Sequence, residues 1–250
     1  MTPSYDDIFQ RVRPVGGDEM MTAMRHNVAV AVIGVGGVGS WCAEALVRTG
    51  IGRITIVDSD AVDVSNINRQ LPATVSTIGQ PKVEALARHL LDINPELQIT
   101  TVCGRYCAET AADFDLDAYD YVVDAIDDLP SKALLIMNAC RSRAKLFSSM
   151  GAARKLAPER IAVAEFWKVQ GCPLARALRN RFKKSGTYPS RKFKCVYSPE
   201  TIEHRADVEP GVNGTFMHAT AIFGLTLASL VIRDLYARYP ADKNKIRTTK

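Results

Sequence analysis

The residues best suited to chemistry fall at set distances along the first half of the chain. Gly34, Gly36, Gly37 and Gly39 close an apolar run, residues 28–33. A glycine turn lets the backbone come close to a phosphate. The helix expected after it, residues 40–48, offers unpaired N–H groups and a partial positive charge that attract anions. A second strand, residues 54–57, ends at Asp58, about twenty residues past the turn, where a dinucleotide fold sets a carboxylate on a ribose hydroxyl. Taken alone this pattern would mean NAD. The residues that follow change the reading: Asp60, Asn66, Arg69 and Gln70 stand directly downstream. A triphosphate needs a planar guanidinium to neutralise its oxygens and an amide to hydrogen-bond them. A nicotinamide site has little use for either there.

The remaining elements must position these groups. Pro81 suits a first helical turn, where its missing N–H is not needed. The helix over residues 82–92 then sets Lys82 at its start, either as a common surface lysine or pointing toward the nucleotide, while His89 is a surface or packing residue. Residues 97–102 and 119–124 read as strands. The latter leads into Asp124-Ala125-Ile126-Asp127-Asp128, at the carboxyl end of a strand, where a hard cation finds carboxylate oxygens. A helix over 130–143 and a strand over 145–149 continue the alternation, which argues a doubly wound parallel sheet.

In the second half, residues 161–166 read as a strand. Pro173 opens a helix whose Leu174, Leu178 and Phe182 make one apolar stripe. Arg176, Arg179, Arg181, Lys183 and Lys184 surround the stripe, and Arg191, Lys192 and Lys194 follow, with Tyr188 and Phe193 interleaved. Two readings stand: a solvated basic helix, or a face that neutralises phosphates and stacks bases.

The chain's 250 residues suit one large α/β domain, and 47% apolar content supplies a core, which excludes disorder. A net charge of +5 is compatible with nucleotide or nucleic-acid partners. The six cysteines include no C-x-x-C pair, which removes the paired knuckles of a four-thiolate zinc site and fits reduced thiols in the cytoplasm. The N-terminus lacks a basic-then-apolar signal pattern. The apolar run over residues 219–232 is too short to span a bilayer and is expected as a core helix, with no membrane partner.

The blocks G-x-G-G-x-G-S, D-x-D, S-N-x-x-R-Q and G-Q-P-K occur in that order between Gly34 and Lys82. In this combination the chain resembles the ubiquitin-activating-enzyme-like adenylyltransferases, the ThiF/MoeB superfamily. The resemblance implies the α/β, Rossmann-like, mostly parallel sheet of that adenylation fold with a C-terminal extension. Residues 1–27 would form an N-terminal helical arm and residues 28–150 the nucleotide-binding core. Residues 151–250 would be a C-terminal part of the same domain, carrying substrate and dimer elements. ATP and Mg²⁺ are the implied cofactors. Gly34, Gly36, Gly37, Val38, Gly39, Asp58, Asp60, Asn66, Arg69, Gln70, Lys82 and Asp127 would surround the nucleotide. Arg69, Lys82 and Asp127 would be catalytic, with Asp127 the metal ligand. Asp128 and Asp124 would then be a helix N-cap and a strand-end turn residue. A homodimer is implied, in which an arm arginine reaches the ATP of the partner subunit. Arg13, ahead of Gly16 and Gly17, best matches the R-x-x-G start, and Arg11 is the alternative.

The second half is similar to the tRNA threonylcarbamoyladenosine dehydratase branch. The matching pieces are Ser149-Met150-Gly151-Ala152, Cys172-Pro173-Leu174-Ala175-Arg176 with its basic tail, Cys195-Val196-Tyr197-Ser198-Pro199-Glu200, and Gly214-Thr215-Phe216 with the closing apolar helix. Relatives often carry D-P-T where this chain has Ala157-Pro158-Glu159. This branch implies AMP-forming, ligase-type cyclisation of a modified tRNA nucleoside in the cytoplasm, with tRNA as partner and a cysteine-desulfurase or sulfur-acceptor protein as a further one. Two rivals are an adenylyltransferase for the C-terminus of a ubiquitin-like sulfur carrier and a non-catalytic NAD-binding regulator. Cys172 has two readings as well: a thioester nucleophile, activated by its place at a helix start, or a packing residue.

Overall fold

The computed structural model describes residues 3–205 and 213–240. The chain opens with α1 (Tyr5–Ile8), α2 (Arg13–Thr22) and a wide helical turn over Ala23–Asn27. This segment is anchored: Tyr5, Phe9, Met20, Met21 and Met24 are buried in the larger core. The Tyr5 hydroxyl donates to the Gly50 carbonyl at 2.5 Å, and burial pushes its pKa up to about 12.

The alternation read from sequence then unfolds as β1 (Ala29–Ile33), α3 (Gly39–Arg48), β2 (Arg53–Val57), α4 (Lys82–Ile93), β3 (Gln98–Val102), β4 (Tyr121–Asp124), α5 (Leu129–Arg141) and β5 (Lys145–Ser149). Next come β6 (Ala162–Glu165), α6 (Pro173–Ser185), β7 (Lys194–Tyr197) and α7 (Met217–Arg238). The strands form one seven-stranded sheet in the order β3-β2-β1-β4-β5-β7-β6. All neighbours pair in parallel except β6, which closes the edge antiparallel to β7. The mostly parallel α/β sheet is therefore as expected.

Strand β1 shows why its sequence reads as a continuous apolar run. All five of its residues are buried. Val30 and Val32 point into one core, with Leu46, Leu86, Phe223 and Val231. Ala31 and Ile33 point into the other, with Val122, Leu135, Ile136 and Leu178. A strand covered on both faces cannot alternate apolar with polar. Each fully buried large aliphatic side chain contributes about 1.5–3 kcal/mol.

Two elements differ from expectation. Strand β7 was not foreseen: Lys194 is exposed while Cys195 and Val196 are both buried, and the flanking basic residues hide so short an apolar run. Helix α7 is longer than the apolar run it contains. By length and composition it could cross a bilayer, but Phe223, Leu227, Leu230, Val231 and Leu235 bury its apolar face in the core, as expected of a core helix.

Candidate active site

A cleft of about 740 Å³ opens at the carboxyl ends of β1, β2, β4 and β5. It lies where the strand order passes from β1 to β4, the switch point at which open α/β sheets bind ligands. The turn after β1 forms its floor. Gly34 has φ +88°, and its amide donates to the Val57 carbonyl at 2.8 Å. A Cβ on Gly34 would stand 2.8 Å from the Ala125 carbonyl oxygen, and one on Gly39 only 1.8 Å from that of Gly34. Neither position admits a side chain. Gly36, Gly37 and Val38 line the cleft, and among the described residues their amides have no backbone acceptor. At the start of α3 they form a run of N–H donors suited to phosphate oxygens.

Asp58 does more than the spacing argument foresaw. One carboxylate oxygen accepts from the Val35 amide at 2.8 Å and the other from the Asp60 amide at 3.0 Å. Asp58 thus ties the end of β2 to the glycine turn. Asp60 in turn pairs with Lys82 at 2.8 Å, and the Lys82 side chain is only 6% exposed. Its hydrogen bond is the main reason the Asp60 carboxyl lies below its usual range. The Lys82 amide donates to the Asp60 carbonyl, and Ala61 bridges Pro81. The D-x-D and G-Q-P-K blocks are one latched unit lining the cleft.

The next block folds around a 3₁₀ turn at Val64–Asn66, where Asp63 accepts from the Ser65 amide and Asn66 from the Asp63 amide. The Arg69 guanidinium donates to the Ser65 carbonyl at 2.7 Å and the Asn68 side chain at 2.8 Å. It has no carboxylate partner among the described residues, so its charge is free to meet an anion. Trp41 holds its carbonyl at 3.0 Å. Gln70 is buried against Gly36, and its Oε1 is buried without any partner among the described residues.

Asp127 is exposed on the loop after β4 and lines the cleft. Asp128 caps α5 by accepting from the Ser131 amide at 2.9 Å. Asp124 ends β4 and accepts from the Ile126 amide at 3.1 Å, as a strand-end turn residue does. It also has a role the sequence reading missed. Fully buried, it pairs with the equally buried Lys132 at 2.8 Å and accepts from the Ser148 hydroxyl at 2.6 Å. Lys132 also donates to the Ile126 carbonyl at 2.8 Å. Ile126 is therefore pinned through both its N–H and its C=O, which fixes the backbone that presents Asp127.

The cleft lining also contains basic groups absent from the motif reading. Arg105, Arg154 and Lys155 line the cleft. Arg154 is the one non-glycine with positive φ among the described residues, at 56°. Its amide donates to Gly214 and its carbonyl accepts from Ile202, so two remote segments clamp it. Lys155 donates to the Glu200 carbonyl, and the Glu200 carboxylate accepts from the Leu156 and Ala157 amides. Burial pushes the Lys155 pKa down.

Other candidates stand elsewhere. Arg13 pairs with Asp6 and Asp18 of its own chain, and neither it nor Arg11 lines this cleft. Cys172 is buried in the second core and lies off the cleft lining, the setting of the packing reading. His89 meets the carboxylate of Glu44 at 2.8 Å. In α6 the buried stripe holds Leu178 and Phe182, with Ala175 in place of Leu174, which turns to the cleft. Of the basic groups proposed for phosphates, Arg179 instead donates to the Phe166 and Val169 carbonyls, and Arg191 to that of Ala139. Phe193 is buried against Phe166 and cannot stack a base. Among the described residues no cluster of three His, Cys, Asp or Glu side chains could hold a metal alone.

A glycine elbow at a sheet's switch point, latched to D-x-D, S-N-x-x-R-Q and G-Q-P-K, defines an adenylation site. The profile of the ThiF family matches residues 9–249, and the chain belongs to that family. Within it, the chain is 40% identical over 205 residues to the tRNA threonylcarbamoyladenosine dehydratase of Bacillus subtilis, covering 82% of this chain and 80% of the relative. The Escherichia coli protein of the same name is 40% identical over 199 residues, 77% of this chain and 72% of the relative. A solved structure of the E. coli enzyme, TcdA, in complex with ATP superposes with a TM-score of 0.84 at 34% identity, covering 93% of this chain and 95% of that one.

Proposed function

We propose that this protein is an ATP-dependent enzyme that dehydrates N6-threonylcarbamoyladenosine beside the tRNA anticodon. An oxygen of the side-chain carboxylate attacks the α-phosphorus of ATP, and pyrophosphate leaves. The carbamoyl group of the same nucleoside then closes onto the acyl-adenylate carbon and expels AMP, which carries away the carboxylate oxygen. The net change is loss of one water from the nucleoside. The observation that carries this reading is the free Arg69 guanidinium beside an unfilled run of amides at a helix start. Two anions must meet here, and fixed donors supply the charge that brings them together.

ATP fits the residues present. Asp58 would take the ribose hydroxyl, Gly34 to Gly39 and Asn66 the phosphates, and Arg69 and Lys82 the developing negative charge. The orphaned Gln70 acceptor lines the same wall. A lone exposed carboxylate, Asp127, suits Mg²⁺, which usually keeps waters and takes one or two protein carboxylates beside substrate phosphates. When bound, the ion would neutralise phosphate charge. The second step is intramolecular, so proximity supplies much of its rate. A homodimer that brings Arg13 to the partner's ATP completes the arrangement. The sulfur-carrier alternative has only the shared adenylation core behind it. Incubation with modified tRNA, ATP and Mg²⁺ tests the proposal: the nucleoside loses the mass of one water and AMP forms in equal amount. Unchanged nucleoside mass with authentic substrate refutes it.

A further inference from the structure

Helix α6 presents Arg176, Arg181, Lys183 and Lys184 to solvent, and none pairs with an acid among the described residues. Charges that serve the fold are already accounted for by Arg179 and Arg191, which cap buried carbonyls. What remains on α6 is positive surface with no internal use. The helix also begins in the cleft wall, where Pro173 and Leu174 line the cavity. Helix α6 and its basic side therefore run outward from the wall of the site.

We propose that this side of α6 docks the anticodon stem of the tRNA through its phosphates, with Arg176, Arg181, Lys183 and Lys184 as the contacts. The inference rests on the reaction proposed above. A target nucleoside beside the anticodon lies next to the paired stem, so seating it in the cleft brings stem phosphates past the rim. The thirteen residues of α6 span about 20 Å. An A-form RNA strand offers a phosphate at every nucleotide, a few ångströms apart, so the helix can face several. Past the helix end, Tyr188 and Trp167 are 51% and 36% exposed with ring centroids 5.9 Å apart, an open stacking surface of the kind RNA-binding faces carry.

The test uses the full chain and an unmodified tRNA transcript, with fluorescence anisotropy over a range of KCl concentrations. In the Arg181→Ala/Lys183→Ala/Lys184→Ala variant, affinity should fall at least about tenfold and the slope of log Kd against log salt by about one per contact removed. Its melting temperature and its KM for ATP should stay as in the wild type. Arg53→Ala, at the opposite end of the sheet on the exposed first residue of β2, should leave binding unchanged. An unchanged slope in the triple variant, or an equal change in Arg53→Ala, overturns the proposal. So does loss of binding to an acidic sulfur-acceptor protein with tRNA binding intact. If the wild type dehydrates modified tRNA while the triple variant binds normally, only the docking surface is wrong. If the wild type neither binds nor dehydrates modified tRNA, the reaction falls and the docking surface with it.

Discussion

Replacing Lys132 with Met is the sharpest test of how the site is built. Lys132 and Asp124 are each fully buried and 2.8 Å apart. Removing the ammonium leaves a buried carboxylate with two neutral donors, the Ser148 hydroxyl and the Ile126 amide. Breaking such a pair by deleting one partner costs about 3–5 kcal/mol. For a chain of this size each kcal/mol shifts Tm by about 2–4 °C, so the melting point should fall by roughly 6–20 °C. Asp124→Asn alone should also destabilise, because it leaves the buried Lys132 charge with neutral acceptors and no counter-charge. The double variant Asp124→Asn/Lys132→Met contains no buried charge, and its loss should be smaller than the sum of the singles by at least about 2 kcal/mol. Urea unfolding followed by tryptophan fluorescence measures all three. A second readout separates stability from function. Both variants lacking Lys132 lose the bond to the Ile126 carbonyl, so KM for ATP should stay raised in the double variant although its stability recovers. Additive losses, or a Lys132→Met cost under about 1 kcal/mol, would refute the account of a buried pair that braces the Asp127 loop.

Arg69→Ala and Asp127→Ala should each lower kcat/KM at least about a hundredfold, the usual scale for removing one preorganised electrostatic contact, with thermal melts unchanged because both side chains serve the cleft and not the core. The Asp60 carboxyl lies below its usual range chiefly through the Lys82 hydrogen bond. Its stabilisation is therefore complete above the ordinary value of 3.8 and is lost as pH falls through the lowered value. Acid titration of Asp60→Asn should show a shallower loss of stability in that acidic window, and an identical profile would contradict the latch. At Arg154, φ 56° suits Asn and penalises a β-branched residue. Differential scanning calorimetry should find Arg154→Asn at least as stable as the wild type and Arg154→Val less stable by about 1–3 kcal/mol.

The parts of this molecule that could be read from the chain are those where spacing alone fixes geometry. A βα unit carries its strand end, turn and helix start within a few residues, so Gly34, Gly36, Gly37 and Asp58 arrive at one cleft because each closes or follows a parallel strand, while Lys82 and Asp127 were singled out by the resemblance. Their partners were less visible. The link between Asp60 and Lys82 joins two motifs that local pattern treats as separate, and the backbone pairing of Ala61 with Pro81 brings them together. Arg154 takes its strained conformation from bonds to Gly214 and Ile202, far along the chain, and nothing in Ala153-Arg154-Lys155 signals it. Arg179 and Phe193 looked like an RNA face because composition cannot tell a cation that caps buried carbonyls from one that waits for phosphate.

Lys132 is different, because a signal was present. It stands four and eight residues before Ile136 and Cys140, both buried on α5, so it occupies the apolar stripe of its own helix. A lysine on such a stripe needs a buried counter-charge, and the first turns of a helix after a parallel strand lie over the strand's carboxyl end. The acid that closes β4 is the carboxylate Lys132 meets there. Periodicity applied to charged residues as strictly as to apolar ones would have predicted the pair, and with it the brace behind Asp127.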